Sequence, residues 1–467
     1  MRRNLLPLVA TALWGALPIA AWGCDEGSAA FRSRGAGDNA SDTLLIRNVH
    51  VVPMTRDTIL RDQSVRIVDG VIDRIAAVEE ISPGSDVTVV DGGGGYVFPG
   101  LIDAHVHLND EGELPSYLVH GVTTVVNMRG FPAHLALADS VAAGQVVGPW
   151  IITSGPLVDG EPPIWDPPGT TVVTSPAEAR EAVASQAEAG YDLIKVYNNL
   201  DPASLAAAID EADTHGLAVV GHLPRNPDRS TALQKALDAG IAMIAHGEEV
   251  FFTYLGGAGD ASGGAPQPVD PARIHAAARL IADAGAAVTP NLSFIAMTRR
   301  MLEDIDSVLN HPESRFLSAD VRETWREQNP TGRDDLDRFA AREAIKAPAV
   351  RTLTVELQRT GVPLLLGTDA SAPGLHPGWS ALLELEELVA AGLTPFEALC
   401  AGTRNAGAWL EQSVPGAPAV GTIEPGKVAD LVLVAENPLE NISATRGIRG
   451  VVLRGRWMSQ TELDALR

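Results

Sequence analysis

Four histidines, one lysine and one aspartate carry the chemistry that this sequence can do. His105 and His107 stand two apart in LIDAHVHL (101–108), His222 lies in AVVGHLP (218–224), and His246 in IAMIAHGE (241–248). In an extended chain, residues i and i+2 face the same side, so His105 and His107 offer two imidazoles to one point, where both can bind a single cation. A lone histidine on an apolar strand is usually a core residue with satisfied nitrogens. Four at the ends of three strands point instead to metal ligation. Asp369 closes LLLGTDA (364–370) after three leucines, and a carboxylate so placed is costly to bury unless a cation or a donor meets it. Lys195, in LIKVY, is flanked by Ile194 and Val196, and burial there drives an ammonium toward the neutral amine. Three readings are open for it. The side chain snorkels to the surface, or pairs with Asp369, or captures carbon dioxide as a neutral amine. The carbamate formed in the last case has two oxygens, enough to bridge two divalent cations. His50, His120, His134, His215, His275 and His311 sit in polar or helical surroundings and read as surface or packing residues.

The elements that must position these residues alternate. Apolar runs at 101–108, 122–128, 150–157, 193–197, 218–224, 241–248, 287–294 and 362–370 are mostly separated by helix-length segments. That alternation predicts parallel pairing in an α/β fold, a closed (β/α)8 TIM barrel over 98–419. An open doubly wound sheet is the competing topology, weakened because no glycine-rich nucleotide fingerprint follows an early strand. A barrel brings strand eight beside strand one, and so Asp369 beside His105 and His107. Residues 43–97 and 420–460 are β-rich and too small to be stable sheets apart, so they are expected to join in one small β-sandwich. A Gly/Pro loop at 253–270 and a helical stretch at roughly 295–360 interrupt the alternation, and either can cover a site built from the loops after the strands.

With 467 residues, 45% hydrophobic and 20% charged, the composition is that of a globular protein. The balance of 35 Lys+Arg against 59 Asp+Glu, a net charge of −24, argues against nucleic acid or an anionic membrane surface as the main partner. Two cysteines make no disulfide framework and no Cys-x-x-Cys zinc pair. Residues 1–23 read as an export signal, with Arg2 and Arg3 ahead of the apolar run from Leu5 to Trp22. Ala21-Trp22-Gly23 precedes Cys24, as in a bacterial lipoprotein signal, so Cys24 is either a lipid attachment point or an ordinary thiol after plain secretion. The protein is thus expected to be exported, periplasmic or membrane-anchored. Residues 24–42 form a flexible tether. Cys400, in the helical FEALCAGT, is expected to be a buried structural thiol.

PGLIDAHVHL (99–108), HGVTTVVNM (120–128), LIKVY, VVGHLP (219–224), AHGEE (245–249), LLLGTDA and AGLTPFEALCAGTRNAGAWL (391–410), followed by GTIEPGKVADLVLV (421–434), resemble in order the motifs of the amidohydrolase superfamily. The resemblance covers roughly 43–460. It implies that His105, His107 and Asp369 hold a more buried divalent metal and that His222 and His246 hold a more exposed one. Carboxylated Lys195 would bridge the two, and zinc suits this ligand set. It implies further that a bridging hydroxide attacks and that Asp369 carries the proton to the leaving nitrogen. Superfamily deaminases of the cytosine type carry a glutamate three residues after the strand-five histidine, where this chain has Arg225. That departure and Lys195 favour the imidazolonepropionase-like and Xaa-Pro-dipeptidase-like branches, which cleave C–N bonds of small substrates. The alternatives are a mononuclear deaminase-type or lactone/ester hydrolase on the same fold, and a metal-free binding module. For the substrate, Tyr197, Asn198 and Asn199 are placed at the pocket mouth, and Trp165 as an apolar wall. Arg225 is either a bidentate carboxylate anchor or an exposed salt-bridging arginine. His376 is placed as a donor to a substrate oxygen.

Overall fold

The computed structural model describes residues 43–84, 87–225, 229–256 and 267–466. The expected signal, tether and Cys24 lie outside the described residues, as does most of the Gly/Pro loop.

The first strands are β1 (Thr43–Val51), β2 (Leu60–Val68), β3 (Val71–Ala77) and β4 (Val87–Pro99). The middle of the chain gives β5 (Leu101–Val106), β6 (Val122–Asn127), β7 (Trp150–Thr153), β8 (Leu157–Asp159) and β9 (Thr170–Val172). It continues with β10 (Leu193–Val196), β11 (Ala218–Gly221), β12 (Met243–Ala245) and β13 (Ala287–Thr289). The last strands are β14 (Leu431–Val434), β15 (Ile448–Leu453) and β16 (Arg456–Ser459).

The two chain ends meet in one seven-stranded sheet, ordered β16-β15-β14-β4-β1-β2-β3. The β unit expected from both chain ends is thus laid out as one continuous ladder. The long β4 pairs in parallel with β1 on one side and antiparallel with β14 on the other, Phe98 opposite Val432, so it stitches the two groups edge to edge. Edge strand β3 returns to the approach of β14 through the antiparallel bridge Val71–Val428. Leu44, Ile46, Val65, Ile67, Val97, Leu431 and Leu433 bury together in this unit.

The middle strands pair only in parallel, as β5-β6-β7 and as β13-β12-β11-β10-β8-β9. Every residue of β5, β6 and β10 is buried, the signature of parallel strands covered on both faces. The helices between them share one grammar: Ser175, Asp201 and Asp270 each cap a helix whose next residue is proline. The expected third strand is split at Gly155-Pro156 into β7 and β8. The bridge Ser154–Leu193 joins β7 to β10. The expected eighth strand is not a regular ladder. Leu364 bridges Val288 and Ala370 bridges Val106, so the segment lies between β13 and β5. Between these contacts the Asp103 carboxylate takes the backbone N–H of Thr368 (3.1 Å) and its hydroxyl (2.7 Å) in place of a strand partner. The long helical insertion is present, as helices Leu292–Glu303, Ile305–Leu309, Ala319–Glu327 and Leu336–Thr360.

Asp430 ties the terminal sheet to the parallel strands. Its carboxylate accepts from the Trp150 indole at 3.0 Å and the Arg454 N–H at 2.5 Å, while its carbonyl accepts from Gly100 N at 2.8 Å. Burial pushes its pKa up to about 6. A folded pKa above the unfolded value gives a stabilisation that is complete below the unfolded pKa and lost as pH rises through about 6. Asp430→Asn removes that titration, so its stability deficit relative to wild type should widen as pH falls from 7 to 4, read by urea denaturation at each pH.

Candidate metal centre

His105 and His107 leave β5 on the same side, and each brings Nε2 to one oxygen of Asp369: Oδ1 lies 3.1 Å from His105 and 3.0 Å from His107. His105 is fully buried, and its Nδ1 has no hydrogen-bond partner among the described residues. Two nitrogens converging on one carboxylate oxygen, with a third polar atom orphaned behind them, is a costly arrangement unless something positive meets it. These three residues are the one group of acidic, histidine or cysteine side chains among the described residues whose donor atoms gather closely enough to hold an ion.

The other sequence-selected residues close round this group. The His105 ring centroid lies 4.5 Å from that of His246, which lies 4.9 Å from that of His222. Lys195 is 1% exposed, and its Nζ has no hydrogen-bond partner among the described residues. It neither snorkels nor hydrogen-bonds to Asp369. Burial pulls its pKa down to about 7, against the pull of Asp369 and Glu249. Burial, reinforced by Lys195, holds His105 and His222 well below the ordinary imidazole value, and burial brings His246 to about 4. All three rings are therefore neutral near pH 7, with lone pairs available to a cation. Burial pushes the Asp369 carboxyl upward, and the contacts of its Oδ1 with the His105 and His107 rings act against that, leaving it well below the ordinary carboxylate value. This donor set of neutral imidazoles, one carboxylate and an amine whose pKa is lowered to about 7 fits divalent metal.

Backbone strain gathers at the same strand ends. His246 (φ +73°), Asn291 (φ +53°) and Asp369 (φ +67°) follow the sixth, seventh and eighth runs in the left-handed region, which costs each about 1–3 kcal/mol and persists only where neighbours over-determine it. Those neighbours are present: His246 N donates to Thr289 Oγ1 at 3.2 Å, and Asp369 N to the His105 carbonyl at 2.7 Å.

A second set of residues orients the first. His222 Nδ1 lies 2.9 Å from Asn198 Oδ1, leaving Nε2 for an ion. Asn198 Nδ2 donates to Glu249 at 3.0 Å, and the Arg225 guanidinium is bonded to the same carboxylate and packed 4.7 Å over Phe252. Arg225 is thus committed on the Nδ1 side of His222, and its place as a carboxylate anchor is corrected accordingly: Glu249 already neutralises it. Asn198, placed at the mouth from sequence, is buried behind the ligand. Asn199 turns away to the Pro162 carbonyl at 2.6 Å. Tyr197 stacks on His222 at 4.0 Å, and its hydroxyl accepts from the Trp165 indole at 2.9 Å, so both stand at the site. His376 does not. It is fully buried, bonded to Ser314 at 2.9 Å and packed among His311, Trp325 and Trp379, because the chain after Asp369 dives under the insertion. Cys400 is buried, and burial pushes its thiol up to about 11.

Sequence reasoning missed Asp103, Glu249 and Arg129. Arg129 follows β6 and carries its guanidinium 5.7 Å over the Trp165 ring. Its place just past a strand end in VVNMRG was the available signal. Asp103 and Glu249 lay inside quoted motifs, but their partners come from distant strands.

Residues 96–458 match the amidohydrolase family. In sequence, the ochratoxinase of Aspergillus niger is 40% identical over 85 residues, 18% of this chain and 16% of that relative's length. In structure, bottromycin amidohydrolase superposes with a TM-score of 0.68 at 25% identity, covering 91% of this chain and 88% of its own. A Xaa-Pro dipeptidase with methionine bound in its active site gives 0.65 at 20% identity, covering 90% of this chain and 100% of that one.

Asn198→Ala frees the His222 ring and strips a donor from Glu249. It should weaken divalent-cation binding about tenfold or more, measured by competition with a chromogenic chelator, with the circular dichroism spectrum unchanged.

Proposed function

The chain belongs to the amidohydrolase family, and from that premise we propose that it is an exported, binuclear metal-dependent hydrolase cleaving an amide, lactam or dipeptide C–N bond of a small substrate. The observation that carries this reading is Lys195, an amine buried without a hydrogen-bond partner within a ring of His105, His222, His246 and Asp369. As a neutral amine Lys195 can add to carbon dioxide, forming an N–C bond and releasing one proton, and the resulting carbamate would then help to hold two ions. His105, His107 and Asp369 would hold one ion, His222 and His246 the other. Two divalent cations, zinc by ligand type, supply Lewis acidity toward the scissile carbonyl and toward the attacking water. The parallel pairings and the bridges Ser154–Leu193, Val288–Leu364 and Val106–Ala370 support the closed (β/α)8 barrel as the frame.

The chain's own residues complete the reaction. Asp369 Oδ1 faces both histidines, so Oδ2 is the oxygen that takes the proton from water and hands it to the leaving nitrogen. Water adds to the carbonyl carbon, the C–N bond breaks, and the products are a carboxylate and an amine. Trp165 and Tyr197 wall the substrate, and Arg129 sets a positive charge beside them for a substrate carboxylate. Amide substrates are also the closest match to the bottromycin amidohydrolase and Xaa-Pro dipeptidase likenesses. Export rests on residues 1–23, and the amino-terminal mass of protein recovered from a membrane fraction separates acylated Cys24 from plain secretion.

Metal analysis should find about two equivalents per chain, restored after chelation only with bicarbonate present. One equivalent favours the mononuclear alternative. No metal and no hydrolysis across a panel of amides, dipeptides, lactams and lactones sinks the enzyme reading. Lys195→Ala should lose binuclear loading. Arg129→Met should raise KM about tenfold or more for carboxylate-bearing substrates and leave neutral amides unaffected.

A further inference from the structure

Glu113 is fully buried and takes no part in the reaction above. Its Oε1 accepts from Asn109 Nδ2 at 2.9 Å and from Ser371 Oγ at 3.1 Å, and its Oε2 accepts from Asn109 N at 3.3 Å. Asn109 lies two residues after His107, and Ser371 two residues after Asp369. One carboxylate therefore joins the two loops that carry the ligands. Ser371 is held from its other side as well, because its carbonyl accepts from the Trp325 indole at 3.1 Å. Trp325 is 1% exposed, lies in the insertion helix Ala319–Glu327 and packs on Leu317 and Val321.

We propose that Trp325, Ser371 and Glu113 form a clamp through which the insertion sets Asp369 against His107, making Trp325 and Glu113 positioning residues for the metal centre. The proposal rests on the metal-centre reading. Asp369 sits in a backbone conformation that relaxes unless its neighbours prevent it. Backbone bonds between His107 and the 370–371 segment align the two loops locally: His107 N donates to the Ala370 carbonyl, and Ser371 N to the His107 carbonyl at 3.3 Å. The clamp adds side-chain bonds on both sides of Ser371, so a shift of that residue breaks either the indole bond or the carboxylate bond. A buried tryptophan needs an acceptor for its N–H. Trp325 takes one two residues from a ligand, and this converts packing of the insertion into placement of Asp369.

The test uses the full chain and compares Trp325→Phe, Glu113→Gln and Ser371→Ala with wild type. Zinc affinity is read by chelator competition, and ligand geometry by the visible spectrum of the cobalt-substituted protein. Each variant should bind zinc about tenfold more weakly and shift the cobalt bands, with the melting temperature of the metal-free protein unchanged. The Trp325→Phe/Glu113→Gln double variant should be less impaired than the two single effects combined, as members of one unit are. Excess zinc should restore kcat in Trp325→Phe, with KM close to wild type. Should Trp325→Phe fail to fold, Ser371→Ala, which keeps the carbonyl that receives the indole, carries the test. Wild-type zinc affinity and cobalt spectra in the folded variants overturn the clamp alone. A wild-type protein that binds no divalent cation overturns the clamp together with the reading beneath it.

Discussion

An amine buried among imidazoles is the constraint on which the rest of this molecule turns. Lys195 stands on β10 with apolar neighbours on both sides, and its Nζ has no hydrogen-bond acceptor among the described residues. Taking an ammonium into such a place is expensive, so the surroundings are built for the neutral form. The rings of His105, His222 and His246 are likewise held neutral by burial. With these basic groups held toward their neutral forms, the position of Asp369, in contact with both His105 and His107, weighs heavily in the local charge balance.

Holding that position takes more than the ligands. Asp103 caps the irregular segment before Asp369, Glu249 fixes Asn198 and Arg225 behind His222, and Tyr197 lies flat on the His222 ring. Each is a buried acid or an aromatic ring whose partners come from a different strand. Asp103 is fully buried, and that burial pushes its carboxyl up to about 8. The supporting shell is as dry as the site, so its hydrogen bonds weigh heavily in aiming the ligands.

The candidate ligands were legible in the sequence because they sit at the ends of apolar runs, where the period of two and the punctuation by glycine and proline can be read residue by residue. The terminal sheet was legible as a union of both ends for the same reason. What the sequence concealed depends on three dimensions. Arg225 reads as a free cation in RNPDR until Glu249 arrives from the next strand. His376 reads as a site residue because it is seven positions from Asp369, yet the chain turns beneath the insertion in between. Glu113 is one of three acids in NDEGELP, and nothing in that string separates the buried one from its exposed neighbours. The eighth run reads as a strand by composition, and its departure from a ladder follows from a carboxylate, Asp103, that takes over the bonding.

The single terminal sheet has a consequence in time rather than in space. Phe98 on β4 finds its partner Val432 only after the whole intervening chain has been made, so β4 waits with one edge unpaired throughout synthesis. Contacts this distant in sequence close slowly, and an open edge is a place where other strands can add. A chain that keeps its first sheet incomplete until its last strands arrive is slow to become compact. That delay leaves a prematurely ended copy with a sticky edge instead of a stable fragment.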